Sequence, residues 1–204
     1  MRSRAAAGML LNAGFREVYS MDGGISAWHG LTAVGVPEAG MAFFSKAHRP
    51  EELIALSWIL EEGSRTFYAA MEIRVQEQKA KSLYHDLTIA EEHHKSALSA
   101  LYAKLTMRES EPDFPWSLMP EKPDTDVMEG GMKVQEALEW AQGKGLIEVL
   151  ELSISLETNA YDLYIKMSRH FDDAHAQNVF NALSREEKKH LDRLTAQLDS
   201  ILEN

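Results

Sequence analysis

From Pro50 onwards the apolar residues return every three or four positions. Leu53, Leu56, Leu60, Phe67 and Met71 fall on one stripe, the spacing of a helix that buries a single face. Pro50-Glu51-Glu52 suits its first turn, with a fixed φ at the start and acids near the positive end of the helix dipole. No glycine or proline marks its end, and the pattern places a turn near Gln76 to Lys79. A second helix is expected from about Lys79 to Met107. Met107 to Gly131 breaks the periodicity, holds Pro112, Pro115, Pro120 and Pro123, and closes on Gly130-Gly131. Met132 to Gln142 reads as a short helix stopped by Gly143 and Gly145. A third long helix is expected over Leu146–His170, a break at Phe171 to Ala174, and a fourth over Ala174–Leu202. A loop as long as 107–131 argues against a compact domain unless it has a task. In a bundle whose middle helices run parallel, it supplies the one long crossover.

The second helical pair repeats the first. Residues 52–98 laid on 148–194 without a gap share twelve identities in 47 positions. They are Glu52/Glu148, Leu56/Leu152, Ser57/Ser153, Leu60/Leu156, Glu61/Glu157, Tyr68/Tyr164, Met71/Met167, Ala80/Ala176, Leu87/Leu183, Glu91/Glu187, His94/His190 and Leu98/Leu194. Composition alone gives roughly three. Two copies of a helical hairpin account for this best.

Residues 1–40 follow a different pattern. Ser3 to Ala13 reads as a short helix, Phe15 to Tyr19 as a short strand, Asp22-Gly23-Gly24 as a turn, and Ile25 to Trp28 as the start of another helix. Arg2-Ser3-Arg4-Ala5-Ala6, Gly14-Phe15-Arg16-Glu17-Val18-Tyr19 and Gly23-Gly24-Ile25-Ser26-Ala27-Trp28 resemble, in order and spacing, the last third of a rhodanese domain. The resemblance covers about residues 1–36 and implies a rhodanese-like remnant, or the tail of a longer protein, whose role is packing. The family's sulfur-carrying cysteine would lie upstream of Arg2-Ser3, so no sulfurtransferase activity is expected. Val36 to Gly40 serves as the linker, dividing the chain into 1–40 and a helical domain over 41–204.

Composition narrows the chemistry. The chain of 204 residues has no cysteine, which excludes disulfides, thiolate catalysis, Cys-ligated zinc and iron–sulfur centres within it. A formal net charge of −11 argues against nucleic acid as a partner. No apolar run is long enough to cross a bilayer, and the N-terminus is too soon interrupted for a signal peptide. A cytoplasmic protein without a membrane partner is therefore expected.

The polar residues that matter lie on the apolar stripes. Glu91 and His94 are three apart, as are Glu187 and His190, so each pair shares a helix face. Tyr68 follows Glu61 by seven residues and Tyr164 follows Glu157 by seven, nearly two turns. Their neighbours at helical spacing are Leu60, Leu87, Leu98, Leu156, Leu183 and Leu194, which turns the four acids towards the core. Four buried carboxylates without counter-charge are very costly, and two divalent cations would neutralise them. Glu92 and His93 point away from this face and have Lys188 and Lys189 as counterparts, so they are expected in solvent. Glu186 matches Ala90, and His29, His48, His85, His170 and His175 have no matching histidine. The histidines are assigned to the surface or to packing, and Trp58, Trp116 and Trp140 to core or loop anchoring.

Glu61-Glu62-Gly63-Ser64-Arg65-Thr66-Phe67-Tyr68 and Glu187-Lys188-Lys189-His190-Leu191 resemble the rubrerythrin and ferritin-like di-iron family over roughly residues 50–204. The resemblance implies an all-α, ferritin-like four-helix bundle with one long crossover. It implies Glu61 and Glu157 as terminal metal ligands, Glu91 and Glu187 as bridges, and His94 and His190 as one ligand to each ion. Tyr68 and Tyr164 would be hydrogen-bond donors that orient the carboxylate of the opposite half. Oxygen ligands with two imidazoles suit two iron ions, with manganese or a mixed pair as alternatives. The implied activity is reduction of peroxide or oxygen. With no rubredoxin domain in the chain, electrons would come from an external donor such as a rubredoxin-type protein. Ferrous oxidation, manganese-dependent peroxide dismutation and a non-catalytic metal-binding or accessory role use the same ligands. A homodimer is also implied.

Overall fold

The computed structural model describes residues 49–107, 114–118 and 127–203. The rhodanese-like segment, His29, His48 and much of the crossover lie outside the described residues. Four long helices carry the fold: α1 (Pro50–Arg74), α2 (Gln78–Thr106), α4 (Leu146–His170) and α5 (Ala174–Leu202), with a short α3 (Val134–Trp140) before α4. Among the described residues there is no strand, only an isolated bridge between Val127 and Lys133. The architecture is an all-helical bundle.

Each boundary has a local cause. Pro50 opens α1, and the Glu52 carboxylate accepts a hydrogen bond from the Arg49 amide at 3.3 Å. Gly145 donates its amide to Glu148 Oε2 at 2.6 Å at the start of α4. Asp173 caps α5 by accepting from the Ala176 amide at 2.7 Å, satisfying one of the helix's unpaired donors. Val75 and Phe171 end their helices in extended conformation. The first turn therefore comes at Val75–Glu77, slightly before the 76–79 expected; no glycine or proline signals it, and Val75 turns its side chain into the core. The short helix is also trimmed from 132–142 to Val134–Trp140, because Met132 and Lys133 instead close a turn with Met128 and Val127.

The duplication is visible in the backbone. Moved by 96 positions, the ends of α1 and α2 fall to the residue on the ends of α4 and α5. Within each hairpin the two helices pack along their length, and α2 meets α5 across the bundle. The core forms two apolar clusters. One gathers Leu53, Leu60, Leu98, Leu101, Leu163 and Phe180, the other Phe67, Leu83, Leu87, Leu150, Leu156 and Leu194. On every long helix a glutamate sits where one cluster gives way to the other: Glu61 after Leu60, Glu91 after Leu87, Glu157 after Leu156, Glu187 after Leu183. A polar layer thus lies between two apolar plugs.

Candidate metal centre

The helical period that buries the leucine stripe also turns these four acids inward. Glu61, Glu91, Glu157 and Glu187 are fully buried, and His94 and His190 are nearly so, at 4% and 5% exposure. Their donor atoms form two groups, Glu61, Glu91, His94 and Glu187, and Glu91, Glu157, Glu187 and His190, in each of which all lie within 4.8 Å of one another. Glu91 and Glu187 belong to both. The two imidazoles stack, with ring centres 5.4 Å apart.

The groups inside this layer are badly matched as hydrogen-bond partners. His94 Nδ1 lies 3.2 Å from Glu61 Oε2, 3.1 Å from Glu91 Oε2 and 2.9 Å from Glu187 Oε1. One ring nitrogen carries at most one proton, and three acceptors converge on it. His190 Nδ1 faces Glu187 Oε2 at 3.2 Å, Glu157 Oε2 at 3.3 Å and Glu91 Oε1 at 3.9 Å. Glu91 Oε1, Glu157 Oε2 and Glu187 Oε1 are buried without a hydrogen bond. Several lone pairs pointing at a common volume is the donor set a hard cation takes, so the residues fit a pair of metal ions. Lys95, the nearest buried cation in sequence, is spent elsewhere. Its Nζ pairs with Glu62 at 2.6 Å and Glu92 at 2.8 Å and lies 4.6 Å from the centre of the Trp58 ring.

Electrostatics record the same conflict. Burial pushes the Glu61 and Glu157 carboxyls well above the usual range, and neighbouring carboxylates push them further. Burial alone would favour neutral imidazoles, but Glu187 and Glu61 outweigh it and hold His94 well above its ordinary value. Burial would lower His190, but the nearby Glu157 and Glu187 carboxylates outweigh it and raise it to about 11. Glu187 moves the opposite way: the two imidazoliums outweigh its burial and depress it. Like charges in a dry layer raise one another, and the imidazoles among them are raised in turn.

Two tyrosines lock the layer crosswise. Tyr68 on α1 donates to Glu157 Oε1 on α4 at 2.6 Å, and Tyr164 on α4 donates to Glu61 Oε1 on α1. Both rings are fully buried. Tyr84 on α2 lies 3.1 Å from Ser153 Oγ on α4.

The rubrerythrin family profile matches residues 52–198. The chain belongs to the rubrerythrin family. Among solved structures, this rubrerythrin-family protein is similar to a hypothetical protein from Pyrococcus furiosus, with a TM-score of 0.61 and 20% sequence identity over 83% of this chain and 98% of that one. That likeness shows the fold alone. No curated protein matches.

All eight residues singled out from the sequence are brought together here. Glu92 and His93 are exposed, as are His85 and His170, and His175 is half-buried. Glu186 pairs with Lys189 at 2.6 Å. Trp58, Trp116 and Trp140 are half-buried, and Trp58 packs against the core beside Phe114. No described helix is long and apolar enough to cross a membrane.

One acidic residue escaped the sequence reading. Glu129, in the crossover, is 1% exposed and accepts a hydrogen bond from Ser64 Oγ at 2.6 Å. Burial holds its carboxyl well above the usual range, and the charges of Glu91, Glu187 and Glu157 add to the effect. It had no counterpart in the repeat and no place on a helical stripe. The signals were Gly130-Gly131 directly after it and a glycine at position 63 where the second hairpin has Asn159.

Proposed function

We propose that this chain is a di-iron oxidoreductase that reduces peroxide, or oxygen, with electrons from an external donor such as a rubredoxin-type protein. In this reading Glu61 and Glu157 are terminal ligands, Glu91 and Glu187 bridge, and His94 and His190 each bind one ion. The observation that carries it is the pair of buried donor groups sharing Glu91 and Glu187, since a carboxylate common to two groups can bridge two cations. Four carboxylates balance two divalent ions in charge, leaving the imidazoles neutral as ligands require. Manganese or a mixed pair would suit the same donors.

The bound ions would supply two electrons to the substrate and regain them from the donor. One peroxide, two electrons and two protons give two waters. The protein's part is to hold the ligands and govern water. Tyr68 and Tyr164 fix one oxygen each of Glu157 and Glu61, leaving the other oxygen of each for metal. The apolar clusters on either side keep bulk water from the layer, which strengthens the charge interactions within it. A cytoplasmic homodimer completes the proposal.

The test is to load metal-free protein anaerobically with ferrous iron, assay metal content, and add peroxide while following near-ultraviolet absorption. Two irons per chain and rapid peroxide consumption renewed by a reductant support the enzyme. Slow oxidation without turnover sinks the oxidoreductase and leaves a binding protein. Glu91→Ala and Glu187→Ala should each lose most of the metal; wild-type metal content in both would refute the ligand assignment.

A further inference from the structure

The crossover does more than connect the hairpins. Between Val127 and Lys133 it folds into a tight turn, closed by Met128 N to Met132 O at 2.9 Å and Gly131 N to Met128 O at 3.0 Å. This turn packs against both α1 and α4, the helices that carry Glu61 and Glu157. Its close approach depends on particular glycines. A Cβ on Gly63 would lie 2.3 Å from the Val127 carbonyl oxygen and 2.8 Å from Met128 Cα, so only glycine lets the turn settle on α1. Gly130 has φ +77°, and a Cβ there would lie 2.4 Å from the Asn159 side chain of α4.

The turn delivers three side chains inward: Val127 and Met128 join the two apolar clusters, and Glu129 is the acid among them. Ser64, one helical turn beyond Glu61, holds Oε2 at 2.6 Å, while Oε1 is buried without a hydrogen bond. A buried carboxylate oxygen left unpaired is costly. Glu129 lies outside the two donor groups whose atoms are within 4.8 Å of one another, and among the described residues the charges that act on it most are those of Glu91, Glu187 and Glu157. A structural acid would be expected to find a lysine or a full set of donors. This one is positioned by a serine and left with a lone pair free.

We propose that Glu129 is a seventh ligand of the metal centre, a fifth carboxylate delivered by the crossover and coordinating one of the two ions through Oε1. The inference rests on the metal-centre reading above. It also gives the centre a direction. The six other ligands are related by the 96-residue repeat, but Ser64 is matched by Ala160 and Gly63 by Asn159, so the second hairpin has no serine at the position that holds such a carboxylate. The two ions therefore differ in coordination and charge, one of them better suited to a higher oxidation state.

Calorimetric titration with Co²⁺, read together with the visible ligand-field spectrum, tests this on wild type, Glu129→Gln and Ser64→Ala. The proposal expects two ions in wild type. In Glu129→Gln one of the two binding events should weaken at least tenfold, with a changed spectrum for that ion. Ser64→Ala keeps the carboxylate and should give a smaller loss at the same ion. Unchanged affinities and spectra in a folded Glu129→Gln would overturn it, as would a lowered Tm of the metal-free variant with unchanged Co²⁺ binding, which would make Glu129 a structural anchor. Should Glu129→Gln fail to fold, Ser64→Ala decides alone: wild-type binding there overturns the proposal. Wild type that binds no Co²⁺ would overturn the metal centre itself, a failure distinct from that of Glu129.

Discussion

Loading the centre with metal should expel protons, and the structure sets how many. With His190 raised to about 11 and His94 also held well above its ordinary value, both imidazoles are cationic at neutral pH when no metal is present. A metal-bound imidazole must give up that proton. Two ions therefore displace at least two protons, with any held by Glu61 or Glu157 added to the count. The overall constant for binding both ions should then rise at least about 100-fold per pH unit between pH 6 and 8, or about 2.7 kcal/mol or more. The sign follows from the raised values: below about 11 His190 holds a proton that the metal must remove, so acid weakens binding. The metal-free protein should show the mirror effect. Its native state binds more protons than the unfolded chain, whose histidines titrate near 6.5, so its stability should fall as pH rises through this window. Calorimetry in buffers of different ionisation enthalpy counts the protons directly. Release of fewer than one proton per pair of ions, or a constant changing less than tenfold per pH unit, would refute the reasoning.

Two further substitutions probe the supports of the site. Tyr68→Phe or Tyr164→Phe leaves a buried carboxylate oxygen without its donor and should weaken metal binding roughly 10- to 100-fold, measured by competition with a chelator; an unchanged affinity would show that the tyrosines do not orient the ligands. Gly63→Ala forces the Val127–Met128 backbone away from α1 and should destabilise the protein by about 1–3 kcal/mol, read from chemical denaturation, whereas a neutral effect would show that the turn does not need its close seat.

What the sequence displayed and what it hid divide along the repeat. The helices were legible because apolar spacing and the duplication reinforce each other, and Glu61, Glu91, His94, Glu157, Glu187 and His190 stood out because each has a partner 96 positions away. The turn at Val75–Glu77 was less sharply placed, since an extended valine with a buried side chain leaves no mark in composition. Glu129 was hidden for a different reason. Its burial is imposed by a turn whose position depends on a glycine in another helix, and such tertiary placement leaves no period to read. Lys95 shows the same limit: no repeat partner or apolar spacing marks it, yet it is buried between Glu62, Glu92 and Trp58.

The exchanged tyrosine bonds have a consequence for kinetics. Each hairpin secures a carboxylate of the other, so a parting of α1 from α4 would break both fastenings and free Glu157 and Glu61 together. In the proposed di-metal centre, metal should therefore leave in one concerted event, at a rate set by the opening of the seam between the hairpins rather than by the strength of any single bond to the ion.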